Sequence, residues 1–138
     1  MEDLKDAVRI GELDLRFLID SDGATVFEFI VEPRARVPVP HYHAAADELV
    51  YGLEGVLTVT LGGERHLLHP GEAIFIPRGA VHHHANEHEM RSRTLVSITP
   101  GTIRKRYFEE IAAAAAGPGR PDPAVLREIM LRHGLVPA

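Results

Sequence analysis

Four residues in two separate stretches have side chains and spacings suited to binding a metal ion. His41 and His43 are separated by one residue, which on a β-strand directs both imidazoles to the same face. Glu48 follows five residues later, and His82 lies in a distant strand. Three nitrogens and one carboxylate oxygen, with no thiolate, suit Fe, Mn, Ni, Co, Cu or Zn. His41, His43, Glu48 and His82 are therefore candidate ligands of one divalent transition metal, and the alternative for each histidine is a polar residue satisfied by hydrogen bonds.

The number of ligands and the neighbouring histidines bear on whether such a metal is catalytic. Four protein ligands leave up to two octahedral positions for water or substrate, as in catalytic metal sites. In the run His82-His83-His84, strand alternation directs His83 outward if His82 points inward, and returns His84 to the inner face. His84 is thus a candidate for proton transfer near the metal, with a packing role as the alternative.

The elements that would position these residues are short strands. Between residues 13 and 99, strand-like runs are separated by turn signals such as Gly62-Gly63 and Pro70-Gly71. No helical pattern interrupts them, which indicates an all-β barrel. After Pro100-Gly101 the pattern changes to two helices, predicted at residues 103–116 and 123–133. Their N-caps are expected to be Thr102 and Asp122.

Composition limits the classes of partner. A length of 138 residues suits one domain, and a net charge of −5 disfavours nucleic acid and anionic membranes as partners. The sequence has no cysteine, which excludes disulfides and thiolate sites. The charged start of the chain has no signal-peptide pattern, and no apolar run reaches the ~20 residues of a membrane span. We therefore expect a cytoplasmic protein.

The spacing of the histidines and glycines resembles the two sequence motifs of the cupin superfamily. The first motif is Gly, five residues, His-x-His, three or four residues, Glu, six residues and Gly. The second is Gly, five residues, Pro-x-Gly, two residues, His, three residues and Asn. The corresponding positions in this chain are Ala35, His41, His43, Glu48, Gly55, Gly71, Pro77, Gly79, His82 and Asn86. Ala35 alone departs from the pattern, and the departure concerns a loop and not a predicted ligand.

The resemblance implies a fold and a layout. The fold is a single jelly-roll β-barrel over residues 1–100, with motif 1 at 35–55 and motif 2 at 71–86. Residues 101–138 then form a two-helix extension packed on the barrel. The four predicted ligands would point into the barrel, while Asn86 would have a structural role. Family habit also implies a homodimer.

The resemblance leaves the reaction open, because a fold does not define a function. The first hypothesis is a dioxygenase-like enzyme acting on a small aromatic or dicarbonyl substrate held on the metal. Its apolar pocket would be lined by the strand residues Phe27, Phe29, Val50, Ile74 and Ile76 or by their opposite-face neighbours. The alternatives are a non-redox lyase, isomerase or cyclase, in which the metal acts as a Lewis acid, and a non-catalytic sensing module.

Overall fold

The computed structural model describes residues 6–37 and 39–138, which form a mostly β structure with two short helices. The elements in this part of the chain are β1 Ala7–Ile10, β2 Leu13–Asp20, β3 Thr25–Val31, β4 His41–His43, β5 Asp47–Glu54, β6 Leu57–Leu61, β7 Glu64–Leu68, β8 Ala73–Ile76, β9 His82–Ala85, β10 Ser92–Thr99, α1 Lys105–Ala115, α2 Pro123–Arg132 and β11 Leu135–Pro137. Neither helix is long and apolar enough to cross a membrane.

The strands form two antiparallel sheets. One has the order β1-β2-β3-β10-β5-β8 and the other the order β11-β4-β9-β6-β7. The predicted closed barrel is therefore not observed, since no ladder among the described residues joins the two sheets. The turn at residues 69–72 carries the chain from β7 in one sheet to β8 in the other, so these two edge strands are not hydrogen-bonded neighbours.

The hydrophobic core lies between the inward faces of the two sheets. Alternation along β10 illustrates the pattern, because Val96 and Ile98 are buried while Leu95 and Ser97 between them are half-buried. Each fully buried Val, Ile, Leu or Phe side chain contributes roughly 1.5–3 kcal/mol relative to an exposed one. The predicted metal ligands share this inner face with the core residues.

Both predicted helices are present, but the first begins later than expected. Helix α1 starts after Arg104, and Thr102 does not cap it. The carboxylate of Asp20, at the end of β2, accepts hydrogen bonds from the Lys105 amide at 3.2 Å and from the Arg104 side chain at 2.8 Å. A tertiary contact thus supplies the cap that a local residue was expected to provide. Helix α2 is capped as predicted, since Asp122 accepts a hydrogen bond from the Ala124 amide.

The C-terminal segment also contains a strand that the sequence pattern did not predict. β11 pairs antiparallel with β4, placing Leu135 opposite His43 and Pro137 opposite His41. The segment after residue 101 is therefore not purely helical. Its end returns to the second sheet and flanks the strand that carries two of the predicted ligands.

Candidate metal centre

Three strands bring five titratable side chains together in the interior. β4 carries two of them, β5 one and β9 two, and each side chain is at most 7% exposed. The members of this His/Glu cluster are His41, His43, Glu48, His82 and His84. Two triads each have one ligand atom per residue within 4.8 Å of the others. They are His41/His43/His82 and Glu48/His82/His84, so His82 belongs to both. The four predicted ligands are thus brought together, and His84 lies beside them.

Backbone pairing sets the positions of the histidines. His41 lies opposite His82 in the β4–β9 pair, and their ring centroids are 4.6 Å apart. The loop before β9 is fastened to β4, because the Gly79 amide donates a hydrogen bond to the His43 carbonyl at 2.9 Å. Gly79 adopts φ +83°, a left-handed conformation that L-residues rarely adopt. The glycine therefore shapes the loop that delivers His82.

Hydrogen bonds to backbone carbonyls fix the tautomers of two histidines. Nδ1 of His41 lies 2.9 Å from the Val39 carbonyl oxygen, and Nδ1 of His82 lies 3.0 Å from that of Ala80. A carbonyl can only accept, so each Nδ1 carries the proton and each Nε2 has a free lone pair. Nε2 of His82 is buried and has no partner among the described residues. Metal-binding histidines are commonly oriented in this way.

Glu48 is held by one oxygen and faces the imidazoles with the other. Its Oε2 lies 3.1 Å from His84 Nε2, while Oε1 lies 3.7 Å from His43 Nε2 and 3.8 Å from His82 Nε2. The latter two separations are too long for hydrogen bonds. They fit two atoms bonded to one ion, since metal–ligand bonds of about 2.1 Å place ligands within about 4.2 Å of each other.

The protonation states of the cluster also suit a cation. Burial lowers the pKa of His41 to about 3 and that of His43 to about 4, so both are neutral near pH 7. Burial alone would raise the pKa of Glu48, but the hydrogen bond from His84 and the facing imidazoles lower it overall. The cluster thus combines neutral nitrogen donors with a buried carboxylate. A buried anion is costly unless it is compensated, and a divalent cation between these donors would compensate it.

A cavity of about 100 Å³ adjoins the cluster and is lined mostly by apolar side chains. Four cluster residues, His41, His43, Glu48 and His84, line it. Phe27 and Phe29 line it as predicted, whereas Val50, Ile74 and Ile76 do not; Val50 and Ile76 are buried in the core. Strands β1, β2 and β10, helix α1 and β11 supply the remaining wall. The sequence predicted the first helix but not that α1 or β11 lines the site, because only tertiary packing brings them there.

The outward-facing histidine of β9 is less exposed than predicted. His83 was expected to point outward, but it is half-buried, as is His88. The loop at residues 35–37 runs alongside β9, with an antiparallel bridge between Arg36 and Ala85, and His83 Nε2 donates a hydrogen bond of 2.7 Å to the Val37 carbonyl oxygen. The imidazole of His83 therefore fastens this loop and does not enter the cluster.

Asn86 and Ala35 take part in hydrogen bonds between the loops that adjoin the second sheet. The Asn86 side chain donates hydrogen bonds to the carbonyls of Val31 and Met90, at 3.0 and 2.8 Å, and accepts one from the His88 amide. Such contacts fit the structural role expected for it. The backbone N–H of Asn86 donates a further hydrogen bond to the Ala35 carbonyl. The left-handed residue in this loop is Arg34, with φ +67°, so Ala35 does not need the conformational freedom of glycine.

Comparisons with known proteins agree with this geometry. The family model described as the cupin domain matches residues 27–98, about half of the chain. The chain is 37% identical over 85 residues to the tetracenomycin polyketide synthase protein TcmJ of Streptomyces glaucescens. That match covers 62% of this chain and 57% of TcmJ, so the chain spans little more than half of that relative's length.

Solved structures show the same fold. The polyketide cyclase RemF from Streptomyces resistomycificus is 34% identical, with a TM-score of 0.58, and the match covers 68% of this chain and 67% of RemF. The protein TT1209 from Thermus thermophilus is 30% identical, with a TM-score of 0.62, covering 72% of this chain and 96% of that one.

Proposed function

The chain belongs to the cupin superfamily, and from that premise we propose that it is a metal-dependent cyclase acting on a small, largely apolar substrate with 1,3-dicarbonyl groups. The observation that carries the proposal is the His/Glu cluster at the wall of an apolar cavity. The similarity to the polyketide cyclase RemF supports ring closure over the other reactions that such a site permits. The similarity to the polyketide synthase protein TcmJ supports a polyketide-like substrate.

The metal would be held by His41, His43, Glu48 and His82. When bound, a divalent cation would supply Lewis acidity that polarises a substrate carbonyl and raises the acidity of the neighbouring carbon. The ligand histidines contribute preorganisation, since the carbonyls of Val39 and Ala80 already fix the rings of His41 and His82.

His84 is the proposed base. Its Nε2 lies 3.1 Å from Glu48 Oε2, and because an ionised carboxylate only accepts, Nε2 carries the proton. Nδ1 of His84 then has a lone pair, and it is buried without a partner among the described residues. That atom would remove the proton from the carbon between two carbonyls. It would return a proton as the new C–C bond forms and water is lost.

The cavity would exclude water from the part of the substrate that forms the ring. Phe27, Phe29 and other apolar side chains line it, so a substrate inside would be largely dehydrated. Loss of water strengthens the electrostatic interactions of the reacting groups and limits hydrolysis of activated intermediates. The ring-forming part of a short poly-β-ketone would occupy this cavity, and the rest of the chain would extend out of it.

The test is an anaerobic assay with 3,5,7-trioxooctanoate as its N-acetylcysteamine thioester. Zn(II)-loaded protein should form an aromatic ring, detected by ultraviolet absorbance and mass spectrometry, and His84→Gln should reduce the rate by about 10²–10⁴-fold. Failure to cyclise it, together with oxygen uptake by Fe(II)-loaded protein on catechols or flavonols, would overturn the proposal in favour of the dioxygenase-like hypothesis. Both hypotheses use the same cluster and cavity. The assay separates them by what it detects, a new aromatic ring or the uptake of oxygen.

A further inference from the structure

One wall of the cavity is built from residues outside the region that matches the family model. That region ends at residue 98, whereas Ile103, Tyr107, Phe108 and Ile111 line the cavity from the α1 side. Leu135, at the start of β11, also lines it. The cluster thus belongs to the family domain, while the C-terminal segment shapes much of the space beside it.

Phe108, a half-buried residue of this wall, packs against three other aromatic rings. Its ring centroid lies 5.6 Å from that of Phe17, 5.3 Å from that of Phe27 and 4.9 Å from that of Tyr107, all in tilted or edge-to-face arrangements. Such pairs are favourable beyond the area they bury. Because the ring packs against two strands and its own helix, it does not swing freely out of the wall.

The cavity volume indicates what this ring excludes. The cavity has a volume of about 100 Å³, and a cavity of about 150 Å³ accepts one benzene molecule. A single aromatic ring therefore already needs at least the whole of this volume, and a fused second ring needs space that the lining side chains occupy. Phe108 is the largest side chain that α1 contributes to the lining apart from Tyr107.

We propose that Phe108 is a specificity-determining residue that restricts the cavity to ligands presenting one aromatic ring. The proposal rests on the proposed function, because it takes the cavity to be the substrate site. The size limit itself does not depend on turnover, so it is measurable on protein without added metal.

The experiment is calorimetric titration of the full-length protein with phenol and with 1-naphthol, which differ by one fused ring. The wild type should bind phenol and discriminate against 1-naphthol. Phe108→Ala should bind 1-naphthol at least about 10-fold more tightly than the wild type does, because added space in an apolar pocket changes affinity on this scale. Phe108→Leu should give a smaller gain and covers the case in which the alanine variant does not fold. Glu109→Ala, at an exposed position of the same helix, is the matched control.

Two results would overturn the proposal. One is equal affinity of the wild type for phenol and 1-naphthol. The other is no gain in 1-naphthol affinity in a folded Phe108 variant, including the case in which neither probe binds. Failure of the cyclisation assay with these gains intact would refute only the proposed function. Cyclisation by the wild type with no gain in the variants would refute only the role of Phe108.

Discussion

His84 Nε2 lies 3.1 Å from Glu48 Oε2, and both side chains are buried on the inner face of the sheets. The contact joins β9 to β5, and it sets both the orientation of the Glu48 carboxylate and the tautomer of His84. It holds one carboxylate oxygen of Glu48 away from the facing histidines, and it determines which nitrogen of His84 carries the proton. Orientation of one polar group by another is how many active sites select a tautomer.

Replacing His84 separates metal binding from proton transfer. His84→Gln should retain the metal, with affinity reduced about 10–100-fold, as is typical when a group that orients a ligand is lost. At saturating metal the weaker binding no longer limits turnover, and turnover should still fall. His83→Gln is the control on the same strand. Unchanged turnover in His84→Gln would contradict the assignment of His84 as the base.

Asn86 should affect stability and not metal binding. Asn86→Ala removes the side-chain hydrogen bonds to Val31, Met90 and His88 and leaves buried backbone groups without partners. We expect a loss of about 2–4 kcal/mol in the free energy of unfolding, measured by urea denaturation. Metal stoichiometry of the folded variant should equal that of the wild type. A variant as stable as the wild type would show that these contacts are dispensable.

Gly52 should tolerate no side chain. A Cβ at this position would overlap the carbonyl oxygen of His69 in the turn between β7 and β8. Gly52→Ala should therefore cost about 1–3 kcal/mol or more in stability, as overpacked sites do. Gly23→Ala is the control, because a Cβ there meets only Ser21 Oγ at 3.9 Å. Equal thermal midpoints for the two variants would argue against the close approach at Gly52.

Glu110 should make the free energy of unfolding depend on pH in the acidic range. It accepts hydrogen bonds from Arg132 at 2.9 Å and from His133 at 2.6 Å, at the end of α2 just before β11. The bond from Arg132, with a further contribution from His133, lowers the pKa of Glu110, although burial opposes this. A lowered folded-state pKa adds stability above the unfolded pKa, and that stability is lost as pH falls through the folded pKa.

The matching measurement compares urea midpoints of the wild type and Glu110→Gln from about pH 7 to about pH 3. The wild type should be more stable at the upper end, and the difference should shrink as the pH falls. A constant difference across this range would show that the charge of Glu110 does not stabilise the fold.

Local periodicity was sufficient to predict the inner faces of the strands. Alternation along β9 correctly placed His82 and His84 inside, and the burial of both residues confirms it. The same argument held for β4, where Tyr42 lies between the two buried histidines and is itself only half-buried. These predictions succeeded because the two-residue period of a strand depends only on backbone geometry.

The features that sequence did not predict depend on tertiary contacts. β11 has three residues ending in Pro137, too short and too weak a pattern to mark as a strand until it pairs with β4. The start of α1 depends on Asp20, 85 positions before Lys105. Phe108 forms part of the cavity wall only because α1 packs against β2 and β3. The homodimer, the cytoplasmic location and the domain boundary at residue 100 stay predictions.

The central claim is that the His/Glu cluster binds a divalent metal, and a chelator-competition titration tests it most directly. The wild type without an affinity tag should bind about one equivalent of Zn(II) per chain. His82→Ala should remain folded by circular dichroism but lose at least about 100-fold in affinity, since loss of a ligand should exceed that of an orienting group. His66→Ala, at an exposed histidine of β7, should bind as the wild type does. Wild-type affinity in folded His82→Ala would contradict the assignment of this cluster as the metal site.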